Sequence, residues 1–457
     1  MSDAQIDSTL QALTREAGDA PHKTRHLVVG RDILDQVGLW LAQQRTTKRD
    51  VVVADAATHE AAGAALVARL RAQGRDAEAI VLDPQPGEDH LVCDDGIIAR
   101  LRTELAARPD TNPIAVGAGT INDTVKMATT QLGRPFVCVP TAASMNGYTS
   151  TIAAVLSRGV KRTLPAQQAE AVFADIEIVR RAPAYLNQAG FGDLLSKPYS
   201  HADWLLSHWV RGVPYEERPA RLLDDAYEAL LLQAAAIGAA EVDGIATLTR
   251  TILLSGFTMA IAGSSSPASG GEHLVSHYWD MEQHCRDLPL FGLHGAQVGV
   301  ATRMSAMLFE RLVALEPRDF DLDAAVQRYP DERWMNDLPR SHPRLTPDVV
   351  AEVREQLLAK QKHGDALREE LAAVRARWSE IRASIASVLK PSAKMSQSLA
   401  QAGAADRPSA LGVERDHAIA TLRVCRHIRG RYVALDLIDD LGFLHGWAEA
   451  VVDEVEA

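Results

Sequence analysis

The chain has 457 residues, 47% apolar and 24% charged, with 48 Lys and Arg against 60 Asp and Glu and a formal net charge of -12. That balance belongs to a folded globular protein long enough for two or three domains. Its acidic sign, with no block of basic residues, argues against nucleic acid or an anionic membrane as partner.

In chain order, Met1-Ser2-Asp3 opens without the basic and apolar regions of a signal peptide. Short apolar runs at 26–30, 51–55, 79–83, 113–117 and 135–140 predict strands, and 33–44, 59–73, 95–107 and 121–132 predict helices between them. This alternation predicts a Rossmann-like parallel sheet. Further strands are expected at 151–157 and 171–179. Helical patterning then takes over, so an α/β N-terminal nucleotide-binding domain (1–180) is expected to precede an all-α C-terminal domain (181–457). Thr346-Pro347 is a helix start signal, and an apolar stripe runs from Val350 to Val388, with a break foreseen at Gly364 and a stop at Pro391. Residues 392–405, rich in Ala, Ser and Gln, are expected to form a flexible connection. The uncharged stretches 135–157 and 251–271 are interrupted by Pro, Asn, Gly and Ser, and neither reads as a membrane span. Four scattered cysteines without a CxxC pair exclude a disulfide framework or thiolate metal site. A reducing, cytoplasmic setting is expected.

Three features carry chemistry. Gly117-Ala118-Gly119-Thr120-Ile121 follows a predicted strand and opens a predicted helix, where glycines and free helix N–H groups can cradle a pyrophosphate. The loop lies after about the fourth strand, not after the first, where a dinucleotide fingerprint usually stands. Asp55 ends the second strand and either accepts from an adenosine ribose, favouring NAD over NADP, or caps the next helix. The loop from Thr141 to Ser150 has five hydroxyl-bearing residues in ten positions, at the sheet edge where ligands bind.

The third feature is histidine density. Chance would place roughly 0.7 of the 15 histidines in a 22-residue window, yet residues 273–294 hold four. His273 and His277 are four apart and share a helix face. His294 begins another helical pattern, and Gly190-Phe191-Gly192-Asp193 places a carboxylate at an expected helix start. One carboxylate and two imidazoles suit a divalent cation with open positions, and Zn, Ni and Fe all accept that set. His284 and Cys285 read as bystanders.

Together, Gly117–Lys126, Thr141–Ser150, Gly192-Asp193…Lys197…Asp203-Trp204, Ala262-Gly263…Glu272-His273…His277 and the 293–302 segment resemble the sn-glycerol-1-phosphate dehydrogenase family, bacterial branch. That family sits within the dehydroquinate synthase-like and iron-containing alcohol dehydrogenase superfamily. The resemblance implies a dehydroquinate synthase-like fold and metal ligation by Asp193, His273 and His294. It implies substrate contact by Asn146, Asp193 and His277, with His277 moving the proton. It also implies dinucleotide contact by Gly117, Ala118, Gly119, Thr120, Ile121, Asp123, Lys126, Thr141, Ala142, Ala143, Ser144 and Ser150. Lys197 is expected to meet a substrate phosphate. The implied reaction is reversible, NAD- or NADP-dependent reduction of dihydroxyacetone phosphate to sn-glycerol 1-phosphate, with one divalent metal. A different alcohol dehydrogenase, a lyase or cyclase of the superfamily, and a non-catalytic relative are the competing readings. Asn146 departs from the family's usual Asp and leaves the exact polyol-phosphate substrate open. A homodimer is expected, as two-fold oligomers are the commonest.

Overall fold

The computed structural model describes residues 2–18, 20, 22–84, 91–157 and 160–457. The chain gathers into two compact units, one of Met1–Leu194, Arg218–Ser265 and Gln401–Gly403, the other of Leu195–Glu217, Ser266–Ala400 and Ala404–Ala457.

The first unit is built on β1 (His26–Gly30), β2 (Arg49–Asp55), β3 (Asp76–Leu82), β4 (Asn112–Gly117), β5 (Val137–Pro140) and β8 (Ala171–Asp175), all parallel, in the order β1-β8-β5-β4-β2-β3. β4, β5 and β8 are buried along their whole length, which is why they read as unbroken apolar runs. Helices Leu34–Gln44 and Ala64–Ala72 supply Val37, Leu41, Leu66 and Leu70 to a core with Val52, Ile114, Val139 and Phe173 from the sheet. A hairpin of β6 (Ile152–Ser157) and β7 (Val160–Pro165) follows β5.

The connection leaving β2 runs outward to β3, whereas that leaving β4 runs the other way to β5. Right-handed crossovers then put the two helices on opposite faces and open a crevice at the carboxyl ends of β2 and β4. The strand order therefore accounts for a phosphate loop after the fourth strand, because β4 is one wall of the crevice.

Helix Val242–Ala262 is long and apolar enough to cross a membrane (mean hydropathy 1.5), but 78% of its apolar window is buried within the protein. It packs on helix Asp3–Ala17 and on β1.

The described residues of the second unit form helices and turns only. Helices Gly271–Cys285 and His294–Val313 pack together at its centre. Several local expectations are corrected. The run 171–179 is strand only to Asp175, whose side chain accepts from Glu177 N–H and starts helix Ile176–Arg180. The 347–390 stripe is three helices, Pro347–Leu358, Gly364–Ala376 and Trp378–Ala386, although Leu367, Leu371, Val374, Trp378, Ile381 and Ile385 are buried as their spacing requires. Residues expected to form a flexible connection make helix Ser392–Ala402 instead, anchored by buried Met395 and Leu399. Two apolar residues four apart override a polar composition there.

Candidate active site

In the first unit, Gly119 opens helix Gly119–Leu132, and its cap residue Ala118 makes no side-chain cap bond. A Cβ at Gly119 would stand 2.8 Å from Met145 Cγ, so the glycine lets the loop pass close to the Thr141–Ser150 segment. Ala118, Gly119 and Thr120 are partly exposed at the crevice, and Ile121 is buried. This is a fit for a pyrophosphate: glycine backbone, uncapped helix start and adjacent strand ends.

Asp55 stands across the crevice, since Val53 pairs with Ala115 two residues before each strand end. Its Oδ1 accepts from Thr58 N–H at 2.8 Å and Thr58 Oγ1–H at 2.9 Å. The carboxylate thus caps the next helix, the simpler of its two sequence readings.

The hydroxyl-rich loop is mostly turned inward. Tyr148 OH donates to Ala142 O at 2.6 Å, Thr149 Oγ1 to Leu253 O at 2.6 Å and Ser150 Oγ to Ile152 O at 2.8 Å. Lys126, fully buried, donates to Gly147 O at 2.5 Å and Ile152 O at 3.0 Å; burial pushes its ammonium below the usual lysine range. Asp123 Oδ2 accepts from Ala154 N–H at 3.1 Å. Lys126, Asp123 and Ser150 therefore act as struts for the loop. Thr141, Ala142 and Ala143 are buried in it, while Ser144, Met145 and Asn146 are partly exposed.

Asp193 lies near the end of helix Ala184–Leu195, not at a helix start as expected. The helix stops because Pro198 has no N–H to continue it, and Lys197 begins a new helix, Lys197–Arg211, in the second unit. Asn146 Nδ2 donates to Asp193 Oδ1 at 3.3 Å. A carboxylate at 146 would meet Asp193 with like charge; the amide meets it with a donor.

The second unit brings His273, His277 and His294 together, with ring centroids 5.2 to 6.1 Å apart. Their orientation is fixed by neighbours that the sequence did not single out. His273 Nδ1 lies 2.8 Å from Glu272 Oε1, which can only accept, so the ring carries its proton there and its lone pair on Nε2. Gln297 Nε2 donates to Asp280 Oδ1 at 3.1 Å, turning Gln297 Oε1 toward Ser276 Oγ–H at 2.7 Å. With its hydrogen so used, the Ser276 oxygen accepts from His294 Nδ1–H at 2.8 Å, again leaving the lone pair on Nε2. Among the described residues no group of three or more His, Cys, Asp or Glu side chains is placed to hold a metal ion. The two oriented imidazoles nonetheless fit a divalent cation, for which lone pairs backed by such partners are the usual donors.

Beside them, Lys197 Nζ donates to Ala268 O at 3.0 Å, and Arg431 Nη1 to Ser269 O at 2.6 Å. Arg429 Nη1 donates to Ser269 Oγ at 3.0 Å, and its Nη2 lies 3.3 Å from His277 Nδ1. Asp203 accepts from the N–H groups of Gly271 and Ala434, both at 2.6 Å, while burial, and after it the charge of Glu272, pushes its carboxyl up to about 8. The pair Arg429 and Arg431 was missed from sequence; an Arg-Gly-Arg triplet between helical segments of the C-terminal tail was the only signal.

An iron-containing alcohol dehydrogenase family profile matches residues 28–183. A glycerol-1-phosphate dehydrogenase [NAD(P)+] of Bacillus velezensis is 35% identical over 300 residues, 66% of this chain and 75% of the relative. The enzyme of that name from Bacillus subtilis is 34% identical over 310 residues, 67% of this chain and 78% of the relative. Among solved structures, a probable glycerol dehydrogenase from Sinorhizobium meliloti superposes with a TM-score of 0.59 at 17% identity, covering 94% of this chain and 98% of that one. That likeness speaks to the fold alone.

Proposed function

Because the chain belongs to the glycerol-1-phosphate dehydrogenase family of NAD(P)-linked oxidoreductases, we propose that it reduces dihydroxyacetone phosphate to sn-glycerol 1-phosphate, reversibly, with NADH or NADPH. The observation that carries this reading is the set of three histidines, two of them held with Nε2 as the lone-pair nitrogen. The proposed metal ligands are His273, His294 and Asp193, and the ion is Zn, Ni or Fe. When bound, the metal would supply Lewis-acid polarisation of the carbonyl and the nicotinamide would supply the hydride.

This chain's residues do the rest. His277 accepts at Nδ1 from Arg429, so the neutral ring holds its proton on Nε2, where it can relay a solvent proton to the substrate oxygen. The Gly117–Ile121 helix start holds the pyrophosphate, and Asp55 is the proposed ribose acceptor. The remaining expected dinucleotide contacts, Asp123, Lys126, Thr141 to Ser144 and Ser150, belong to the same proposal. Asn146 and Asp193 face the substrate hydroxyls. Lys197 belongs to the cationic surround of the phosphate. A homodimer and a cytoplasmic location complete the proposal; four free cysteines among the described residues accord with a reducing compartment.

The test is oxidation of NADH and NADPH against dihydroxyacetone phosphate and other keto-phosphates, with metal content and the stereochemistry of the product measured together. Turnover with sn-glycerol 1-phosphate as product supports the reading. No turnover by metal-replete protein overturns it.

A further inference from the structure

Three cationic side chains, one from helix Lys197–Arg211 and two from the connection that carries Arg429 and Arg431, converge on the short segment Pro267–Ser269, before helix Gly271–Cys285. Lys197 and Arg431 spend hydrogen bonds on its carbonyls, at Ala268 and Ser269. Burial lowers the Arg431 guanidinium, while the charges of Asp203 and Glu272 act the other way. Arg429 is placed differently. Its hydrogen bonds go to two uncharged groups, Ser269 Oγ and the His277 ring, and among the described residues it forms no ion pair. It is partly exposed, beside the imidazole assigned to the substrate oxygen. Burial, and after it the like charge of Arg431, pushes its guanidinium down to about 9, against the smaller opposing influence of Glu272.

The helix start nearby is not the anion receptor. Gly270 N–H donates to Glu272 Oε1 at 2.8 Å and Gly271 N–H to Asp203 Oδ2, so both groups are already used by carboxylates. The segment carrying Arg429 is held in place independently of any ligand. Gly430 N–H donates to Gln356 Oε1 at 3.0 Å, and Lys360 Nζ donates to the carbonyls of Arg426 and Arg431. A preorganised guanidinium with unspent forked donors is the group best matched to a phosphate dianion.

We propose that Arg429 is the phosphate-binding residue of the active site and the determinant that separates phosphorylated from unphosphorylated ketones, with Lys197 serving to brace the Pro267–Ser269 segment. The inference rests on the polyol-phosphate reading above. Seated on Arg429, the phosphate places the rest of a three-carbon substrate within reach of His277, since one guanidinium touches both.

The test compares R429Q, R429K and K197A with the full-length wild type, metal-loaded, on dihydroxyacetone phosphate and on dihydroxyacetone. R429Q is expected to raise KM for the phosphorylated ketone roughly 10- to 100-fold more than for the unphosphorylated one, the range of a lost charge-assisted contact. R429K should fall between, keeping the charge without the fork. A second readout needs no turnover: inorganic phosphate, added with saturating NADH to occupy the nucleotide site, should raise the melting temperature of the wild type and not of R429Q. Equal losses on both ketones, or discrimination lost in K197A and kept in R429Q, overturns the proposal. Should R429Q fail to bind NADH, R429K decides by the same comparison. If the wild type reduces no keto-phosphate but phosphate still stabilises it through Arg429, the anion site stands and the reaction assignment falls.

Discussion

Ser276 determines which nitrogen of His294 carries the proton and which the lone pair. Its one hydrogen goes to Gln297, so it can only accept from the imidazole, and Asp280 fixes which way Gln297 faces. Replacing Ser276 by Ala removes that acceptor and frees His294 to rotate or change tautomer. Metal affinity is expected to fall roughly 10- to 100-fold, as for other outer partners of ligating histidines. Competition with a chromophoric chelator measures this without turnover; an unchanged affinity would show that Ser276 does not orient the ring. Asn146 is a second test at this scale. An N146D variant sets a carboxylate against Asp193, 3.3 Å from the present amide, and is expected to alter the ranking of keto-phosphates as substrates. An unchanged ranking would clear Asn146 of any part in specificity.

At the scale of elements, one close approach in the first unit depends on Gly190. Helix Ala184–Leu195 carries Gly190 against the loop after β5, where a Cβ would stand 1.7 Å from the Ala143 carbonyl oxygen. That atom is backbone and cannot swing aside. G190A is therefore expected to destabilise the protein by about 3 kcal/mol, the upper end for overpacking, and to weaken NADH binding as the loop shifts. Thermal melting and fluorescence titration would reveal it, and wild-type values in both would overturn it.

Sequence periodicity served these elements unequally. β1, β4 and helix Gly119–Leu132 were legible because buried strands and strong apolar periodicity are local properties. The helix end at Leu195 was not, because apolar spacing carries no stop signal there and Pro198 acts only through the hydrogen bond it cannot donate. The histidine cluster was visible as local density. Ser276, Gln297, Asp280, Arg429 and Arg431 were not, since ordinary polar residues acquire a role only through contacts that the fold creates.

At the scale of the molecule, burial of neutral imidazoles links stability to pH. Desolvation lowers His201 and His342 to about 4, and His427 lies well below its usual value. His342 joins Tyr278 OH at 2.8 Å to His427 Nδ1 at 3.0 Å in the second unit. Each ring binds a proton more readily in the unfolded chain, near pH 6.5, than in the folded one. Their contribution is complete above that pH and is lost as pH falls toward 4, by about 3 kcal/mol for His201 and His342 each. Falling net charge acts oppositely, because the sequence pI is about 5.7 and surface repulsion fades toward it. Buried Asp203 and Asp440, raised to about 8 and about 7, also act oppositely, because each binds a proton more readily in the folded chain than in the unfolded one. The histidine share is read by difference: His201→Gln is expected to make the urea midpoint fall less, or rise more, between pH 7 and 4 than in the wild type, and an identical pH profile would show that His201 does not gain a proton on unfolding.

The two compact units are not consecutive halves of the chain, which passes from one to the other at 194/195, 217/218, 265/266, 400/401 and 403/404. Neither unit can be exchanged with a relative's by one splice. A hybrid gene would need five simultaneous junctions, each in register, to keep both cores whole. A lineage that altered its substrate would therefore have to do so by point changes near Asn146 or Arg429, not by borrowing a new helical unit. Inheritance should keep the nucleotide-binding and histidine-bearing units together as a single block.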